Sequence, residues 1–265
     1  MPVFLDQPGP LAFAHRGGAA HQPENSRRAF EHAVGLGYTY LETDARATAD
    51  GVLIAFHDRT LDRATDRTGV VGSLRHGDVA RARIGGTEPI PLIEDLLGAW
   101  PGVRFNIDLK EGPAVGPLVR ALRRTGAWDR VCVTSFSARR LRAARRLLDR
   151  PVCMALSPAG VTAMRLGGRT LRYGEGMANR LARAGVGCAQ VPAWTATAPL
   201  VRRAHALGLQ VHVWTLNQRH EMERALDVGA DGIMTDETVM LRDVLAERGQ
   251  WPHRPRMTGE PGAAG

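Results

Sequence analysis

The chain has 265 residues and a formal net charge of +8. That length suits one large domain with a substantial core, and no apolar run approaches the ~20 residues of a transmembrane helix, which excludes stable membrane insertion through such a span. The charge is almost wholly arginine, in runs such as Arg139-Arg140, Arg145-Arg146 and Arg202-Arg203, and these lack the interleaved aromatics on which bases stack, so no nucleic-acid partner is expected.

Residues Met1 to Pro10 show no basic stretch followed by an apolar one, so no leader is read there. The first predicted strand, Leu11–His15, runs into Arg16-Gly17-Gly18. Asn25 or Ser26 can cap a helix over Ser26–Gly35. Strands follow at Tyr40–Asp44 and Val52–His57. From about Arg59 to Pro89, turn formers and charges replace periodicity. Residues of about 52–89 are therefore expected to form a small insertion after the second barrel strand. Beyond it, predicted helices at Leu92–Trp100, Val115–Thr125, Ala138–Leu148, Gly174–Ala184, Ala198–Ala206, Asn217–Val228 and Asp236–Glu247 alternate with strands. The strands are Val103–Leu109, Arg130–Phe136, Val152–Leu156, Cys188–Pro192, Gln210–Trp214 and Gly232–Thr235. Gly35, Gly126, Gly208 and Gly229 stand as helix stops. Alternation of this kind predicts an α/β fold with a parallel sheet. The number of repeats favours a closed TIM (β/α)8 barrel as a single domain over residues 1–248. The tail, 249–265, is rich in Pro, Gly and Arg and is expected to be disordered.

In a parallel barrel the strand C-termini share one face, and active sites collect there. His15 and Arg16 end the first strand. Glu42 and Asp44 end the second. His57 ends the strand that opens the insertion. Asp108 and Lys110 end the next strand, and Trp214 a late one. Glu42 and Asp44, two residues apart, point to the same face of a strand. Paired carboxylates repel unless a cation lies between them or one is protonated. Oxygen ligands favour one divalent cation, Ca2+ or Mg2+, with Asp108 as a third donor. Arg16 offers a fork of donors suited to phosphate. Lys110, the single lysine among 35 basic residues, offers a compact charge beside it. His15 and His57 can share general acid and base work near neutral pH. The set suits a metal-assisted phosphodiesterase for a small-molecule substrate. Phe136 and Trp214 either wall the substrate's alcohol or belong to the core. Asn25 either hydrogen-bonds near the phosphate or caps its helix. Cys132, Cys153 and Cys188 sit in short apolar runs without metal-site spacing. They are expected to pack as small hydrophobes in a reducing cytoplasm.

These residues resemble the glycerophosphodiester phosphodiesterase family over about Ala12 to Val239. His15-Arg16-Gly17 with Pro23-Glu24-Asn25-Ser26 is similar to its opening signature. Glu42-x-Asp44, Asp50-Gly51 and His57-Asp58 are similar to its second block. Leu61-Asp62-Arg63-Ala64-Thr65 and Ile90-Pro91-Leu92 resemble the segments on either side of its insertion. Val213-Trp214-Thr215-Leu216-Asn217 and Gly232-Ile233-Met234-Thr235-Asp236 resemble the closing blocks. The resemblance implies a TIM barrel with a small inserted subdomain, which cleaves glycerophosphodiesters to an alcohol and sn-glycerol 3-phosphate. It implies His15 and His57 as the acid/base pair, Arg16 and Lys110 on the phosphate, and Glu42, Asp44 and Asp108 on one divalent cation. Asp108 stands where the family usually has Glu, one methylene longer. Ser26 stands for the usual Thr. Two alternatives are a lysophospholipase D acting on lipid diesters and a non-catalytic phosphate-ligand binder. Attack by a substrate hydroxyl through a cyclic phosphate and direct attack by water are equally compatible with these residues.

Overall fold

A computed structural model describes residues 2–166 and 175–251. The barrel begins with β1 (Leu11–Ala14), α1 (Arg27–Gly35) and β2 (Tyr40–Ala47). The insertion follows with β3 (Leu53–Ala55), the short α2 (His76–Val79) and the hairpin β4 (Arg83–Ile84) and β5 (Glu88–Pro89). After α3 (Ile93–Ala99) come β6 (Arg104–Leu109), α4 (Val115–Thr125), β7 (Val131–Thr134), α5 (Ala138–Leu147) and β8 (Cys153–Ala155). Next are α6 (Pro158–Leu166), α7 (Glu175–Arg183), β9 (Val186–Pro192) and α8 (Ala198–Ala206). The chain closes with β10 (Gln210–Trp214), α9 (Arg219–Asp227), β11 (Gly232–Thr235) and α10 (Thr238–Glu247).

The order β1-β11-β10-β9-β8-β7-β6-β2 is closed by a direct β1–β2 pairing, and all these neighbours run parallel. This is the expected TIM barrel. Side-chain alternation gives it two layers. Ala12, Leu41, Ile107, Val133, Val191 and Ile233 face the helices and pack with Phe30, Leu118 and Leu122. Phe13, Tyr40, Cys132, Cys153, Cys188 and Met234 face inward. A turn of 3-10 helix at Val3–Leu5 plugs the lower end with buried Phe4 and Leu5, and Tyr40 donates its hydroxyl to the Phe4 carbonyl at 2.7 Å.

The insertion has its own apolar cluster, which includes Ile54, Phe56, Leu61, Val71, Val79 and Ile84. It is tied to the barrel by β3, which pairs antiparallel with the upper end of β2 (Ala45↔Ala55). The strand expected over Val52–His57 is thus only three residues long and lies outside the parallel ring. Phe56 N–H donates to the Asp44 carbonyl at 2.9 Å and sets His57 at the barrel mouth.

Several expectations change. Ser26, not Asn25, caps α1, its hydroxyl accepting the Ala29 N–H at 3.1 Å. Gly35 lies inside α1, and the left-handed turn falls at Gly37 (φ 98°). The final helix begins at Thr238 because Asp236 is turned into the barrel mouth. Helix α6 was not expected: Ser157-Pro158-Ala159-Gly160 reads as a turn, yet proline fits the first helical position. Gly160 lets the helix press on Leu156, whose Cδ1 lies 2.7 Å from where a Cβ would be. Gly174 of the helix expected over Gly174–Ala184, and residues 252–265 of the expected tail, lie outside the described residues. No helix among the described residues is long and apolar enough to cross a membrane.

Candidate active site

After β1 the chain turns through three left-handed residues, Arg16 (φ 51°), Gly17 (86°) and Gly18 (95°). A Cβ at Gly17 would lie 2.7 Å from that of Ala29, and one at Gly18 would lie 2.7 Å from Thr238 Cγ2. Only glycine lets this loop press against α1 and α10. The turn aims the Arg16 N–H at Glu42 Oε2 (3.0 Å). Arg16 and Asn25 are the non-glycine residues with positive φ among the described residues. Such backbone persists when its surroundings hold it: here the Asn25 N–H donates to the Arg16 carbonyl at 2.8 Å.

Asn25 is 1% exposed and does not line the cavity. Its amide donates to Asp44 Oδ2 (2.9 Å) and its carbonyl accepts from Thr43 (2.8 Å). It therefore positions a carboxylate; as a candidate substrate contact it is corrected, because burial leaves it no free face.

The remaining predicted residues meet in one cavity of about 450 Å³ at the C-terminal face of the barrel. His15, Arg16, Glu42 and Asp44 line it with His57, and Asp108 and Lys110 complete the charged side. Lys110 Nζ lies 2.7 Å from both Asp44 Oδ1 and Asp108 Oδ2. Arg16 Nε approaches Asp44 Oδ2 at 3.3 Å. His15 Nδ1 meets Asp236 Oδ1 at 2.7 Å, while its Nε2 faces Glu42 Oε2 at 3.8 Å. His57 Nδ1 meets Asp58 Oδ1 at 2.6 Å. Asp58 also accepts from Arg63, Arg63 from its side donates to Glu24, and Glu24 accepts from Arg16. A single chain of ion pairs thus links the insertion to the first barrel loop.

Burial and the neighbouring Asp44 charge push the Glu42 carboxyl up to about 7. Burial acts the same way on Asp44, but Lys110 and Arg16 outweigh it and hold that carboxyl below its ordinary value. Burial raises Asp108 against the pull of Lys110. For His15, burial opposes protonation, yet Glu42 and the Asp236 hydrogen bond prevail and raise its pKa. Asp58 is lowered to about 2, chiefly by its bond to Arg63.

These features bear on a metal. Glu42 and Asp44 present oxygen donors side by side, and Asp108 Oδ1 is buried with no hydrogen-bond partner among the described residues. That donor set fits a hard divalent cation. Among the described residues the three carboxylates do not gather within 4.8 Å of one another; the donor set that does is Cys132, Cys153 and Cys188. Lys110 lies between Asp44 and Asp108, and its ammonium competes with a cation for their oxygens.

The opposite side of the mouth is mostly apolar, with the Arg165 guanidinium 4.6 Å over the Trp194 ring at its edge. Phe136 and Trp214 stack edge to face at 5.6 Å. Leu156, Val161 and Pro192 continue the wall to Trp194, which is 70% exposed. Lys110 Nζ sits 5.8 Å from the Phe136 ring, where the two halves meet. Phe136 and Trp214 are therefore walls of the cavity rather than core. Asp236, Glu24 and Arg63 carried no assigned role in the sequence. The available signal was position: Asp236 follows the last strand, Glu24 sits in the motif holding Asn25, and Arg63 lies in the segment just after His57-Asp58.

Residues 15–240 match the model of the glycerophosphoryl diester phosphodiesterase family. The chain belongs to this family. A Mycobacterium tuberculosis protein named "Probable glycerophosphodiester phosphodiesterase 2" is 41% identical over 258 residues, covering 94% of this chain and 95% of that one. A lysophospholipase D of Homo sapiens is 26% identical, covering 88% of this chain and 85% of its own. Among solved structures of the same fold, a glycerophosphodiester phosphodiesterase from Agrobacterium tumefaciens superposes with a TM-score of 0.75 at 20% identity, covering 89% of this chain and 99% of that one. An Oleispira antarctica phosphodiesterase in complex with the product sn-glycerol-3-phosphate gives a TM-score of 0.75 at 19% identity, covering 90% of this chain and 97% of that one. The family match starts at His15, the residue from which the charged half of this phosphodiesterase-family site begins.

Proposed function

We propose that this protein hydrolyses glycerophosphodiesters to an alcohol and sn-glycerol 3-phosphate, with a divalent cation, Ca2+ or Mg2+, and with His15 and His57 as the acid/base pair. The observation that carries this reading is the convergence of both histidines, Arg16, Lys110 and the carboxylates on one cavity. The 41% identical relative named for this activity supports it.

Arg16 and Lys110 present positive charge to the phosphate's non-bridging oxygens, where it counts most as the transition state forms. Asp236 holds Nδ1 of His15 and Asp58 holds Nδ1 of His57, so each ring keeps Nε2 toward the substrate space. One histidine takes the nucleophile's proton and the other protonates the leaving alkoxide. A cation held by Glu42, Asp44 and Asp108 would supply Lewis-acid stabilisation when bound. The free, buried cysteines support a reducing, cytoplasmic setting.

The test is release of sn-glycerol 3-phosphate from glycerophosphocholine by metal-stripped protein, with Ca2+ or Mg2+ restored. Turnover should return with one of them. His15→Ala and His57→Ala should each lower it by about 10²–10⁴-fold. Metal-independent turnover, or full activity in either variant, would refute the assignment.

A second reading has its own observation. Exposed Trp194 and Phe136 form an apolar rim larger than a small headgroup needs, and the human relative is a lysophospholipase D. A lipid diester would lay its acyl chain there, which turnover of lysophosphatidylcholine against glycerophosphocholine would reveal.

A further inference from the structure

We propose that Cys132, Cys153 and Cys188 form a second metal site, for a thiophilic d10 ion, zinc or copper(I), beneath the floor of the catalytic cavity. The residues come from three adjacent strands. Cys132 pairs in register with Cys153, and Ala155 with Cys188. Inward alternation on β7, β8 and β9 points all three sulfurs to the barrel axis. Their sulfurs lie within 4.8 Å of one another, and Cys132 to Cys188 is 3.9 Å. An ion about 2.3 Å from each sulfur needs sulfurs about 4 Å apart.

His212 neighbours the cluster but is not among the donors that lie within 4.8 Å of one another. It is wholly buried on β10, beside β9. Its Nε2 meets the Gln210 side-chain oxygen at 3.1 Å. Since that oxygen only accepts, Nε2 carries the proton and Nδ1 keeps a lone pair. Nδ1 is buried with no hydrogen-bond partner among the described residues. Three soft thiolates select a thiophilic d10 ion, copper(I) with the three alone or zinc with a fourth donor.

The site is sealed. Above it, Gln190 Nε2 lies 3.8 Å from Cys188 Sγ and donates to Asn106 at 2.7 Å; both amides line the catalytic cavity. Below it sit Phe4 and Leu5. The ion therefore enters as the chain folds. Each ligating thiol exchanges its S–H bond for a sulfur–metal bond and releases a proton, with no change of oxidation state.

The test uses the full chain from zinc- or copper-supplemented cells, dialysed against EDTA to clear the carboxylates at the mouth. Elemental analysis should find about one equivalent of zinc or copper per chain, and its identity names the ion. Refolding with Co2+ should produce a sulfur-to-metal charge-transfer band, which oxygen ligands cannot give. Asp44→Asn should keep the band and Cys188→Ser should abolish it. Because Cys188→Ser sits in the core, the unmodified chain decides: no retained metal and no band after refolding with Co2+ would overturn the proposal, as would a mass showing a disulfide among these cysteines in freshly isolated protein.

Discussion

Glu42 and Asp44 lie two residues apart on one strand, yet their surroundings set them to opposite tasks. Asp44, between Lys110 and Arg16, stays ionised. Glu42, buried beside that charge, holds its proton until about pH 7. Its folded pKa lies above its ordinary value of 4.5. In the cation-free protein its contribution to stability is therefore full below the unfolded pKa and is lost as pH rises through 7. A cation reverses this, since it binds the ionised form. Affinity for Ca2+ or Mg2+ should rise as pH passes through about 7, with release of a proton at the lower end. Calorimetry in two buffers of different ionisation enthalpy measures that proton. Asp236 supplies another test. It helps raise the pKa of His15, so Asp236→Asn should move the acidic limb of kcat/KM to lower pH and reduce kcat by about 10–100-fold, as loss of an orienting partner does. An unmoved limb would make Asp236 merely structural. The seven charged and histidine positions of the site were legible because each lies at or near the C-terminal end of a predicted strand, although β2 runs on past Glu42 and Asp44 to Ala47. Asn25 was legible as a polar residue but not as a buried one: its role depends on the left-handed turn that brings it under Asp44.

Elements with strong periodicity were legible. β10, β11, α4 and α8 match their expected bounds because apolar spacing and flanking glycines agree there. The insertion was legible only as a loss of pattern. Its cluster forms between residues distant in sequence, such as Ile54 and Ile84, so no local period announces it. On the proposed mechanism this element would have a catalytic duty, because β3 is the arm that carries His57 to the mouth. Ile54 is fully buried and bridges to Leu92. Ile54→Ala should cost roughly 2–5 kcal/mol in urea unfolding, and turnover should fall further than the population of folded protein explains. A loss of turnover that tracks unfolding alone would show that β3 does not position His57. Helix α6 escaped notice for the opposite reason. Its first residues use turn chemistry to begin a helix, and that helix supplies Val161 to the apolar wall.

At the scale of the whole molecule, spacing along the chain says little about neighbours across it. Cys132 and Cys188 are 56 residues apart, and no motif joins them. Strand register alone does. The same register sorts the mouth into two sides. Charge belongs to the ends of β11, β1, β2 and β6, and apolar surface to the ends of β7 through β10. Trp194→Ala tests that division. It should raise KM for lysophosphatidylcholine by about 10-fold or more, as loss of a buried aromatic contact does, while leaving kcat/KM for glycerophosphocholine within about twofold. Equal losses on both substrates would place Trp194 in the shared machinery. The division has an evolutionary reading. By the proposed function, half of the barrel would hold the part of every substrate that never changes, the phosphodiester, and the other half would meet the part that does. Substitutions can accumulate on one rim without touching the reaction on the other, so a lineage of such enzymes can exchange one alcohol for another while its chemistry stays fixed.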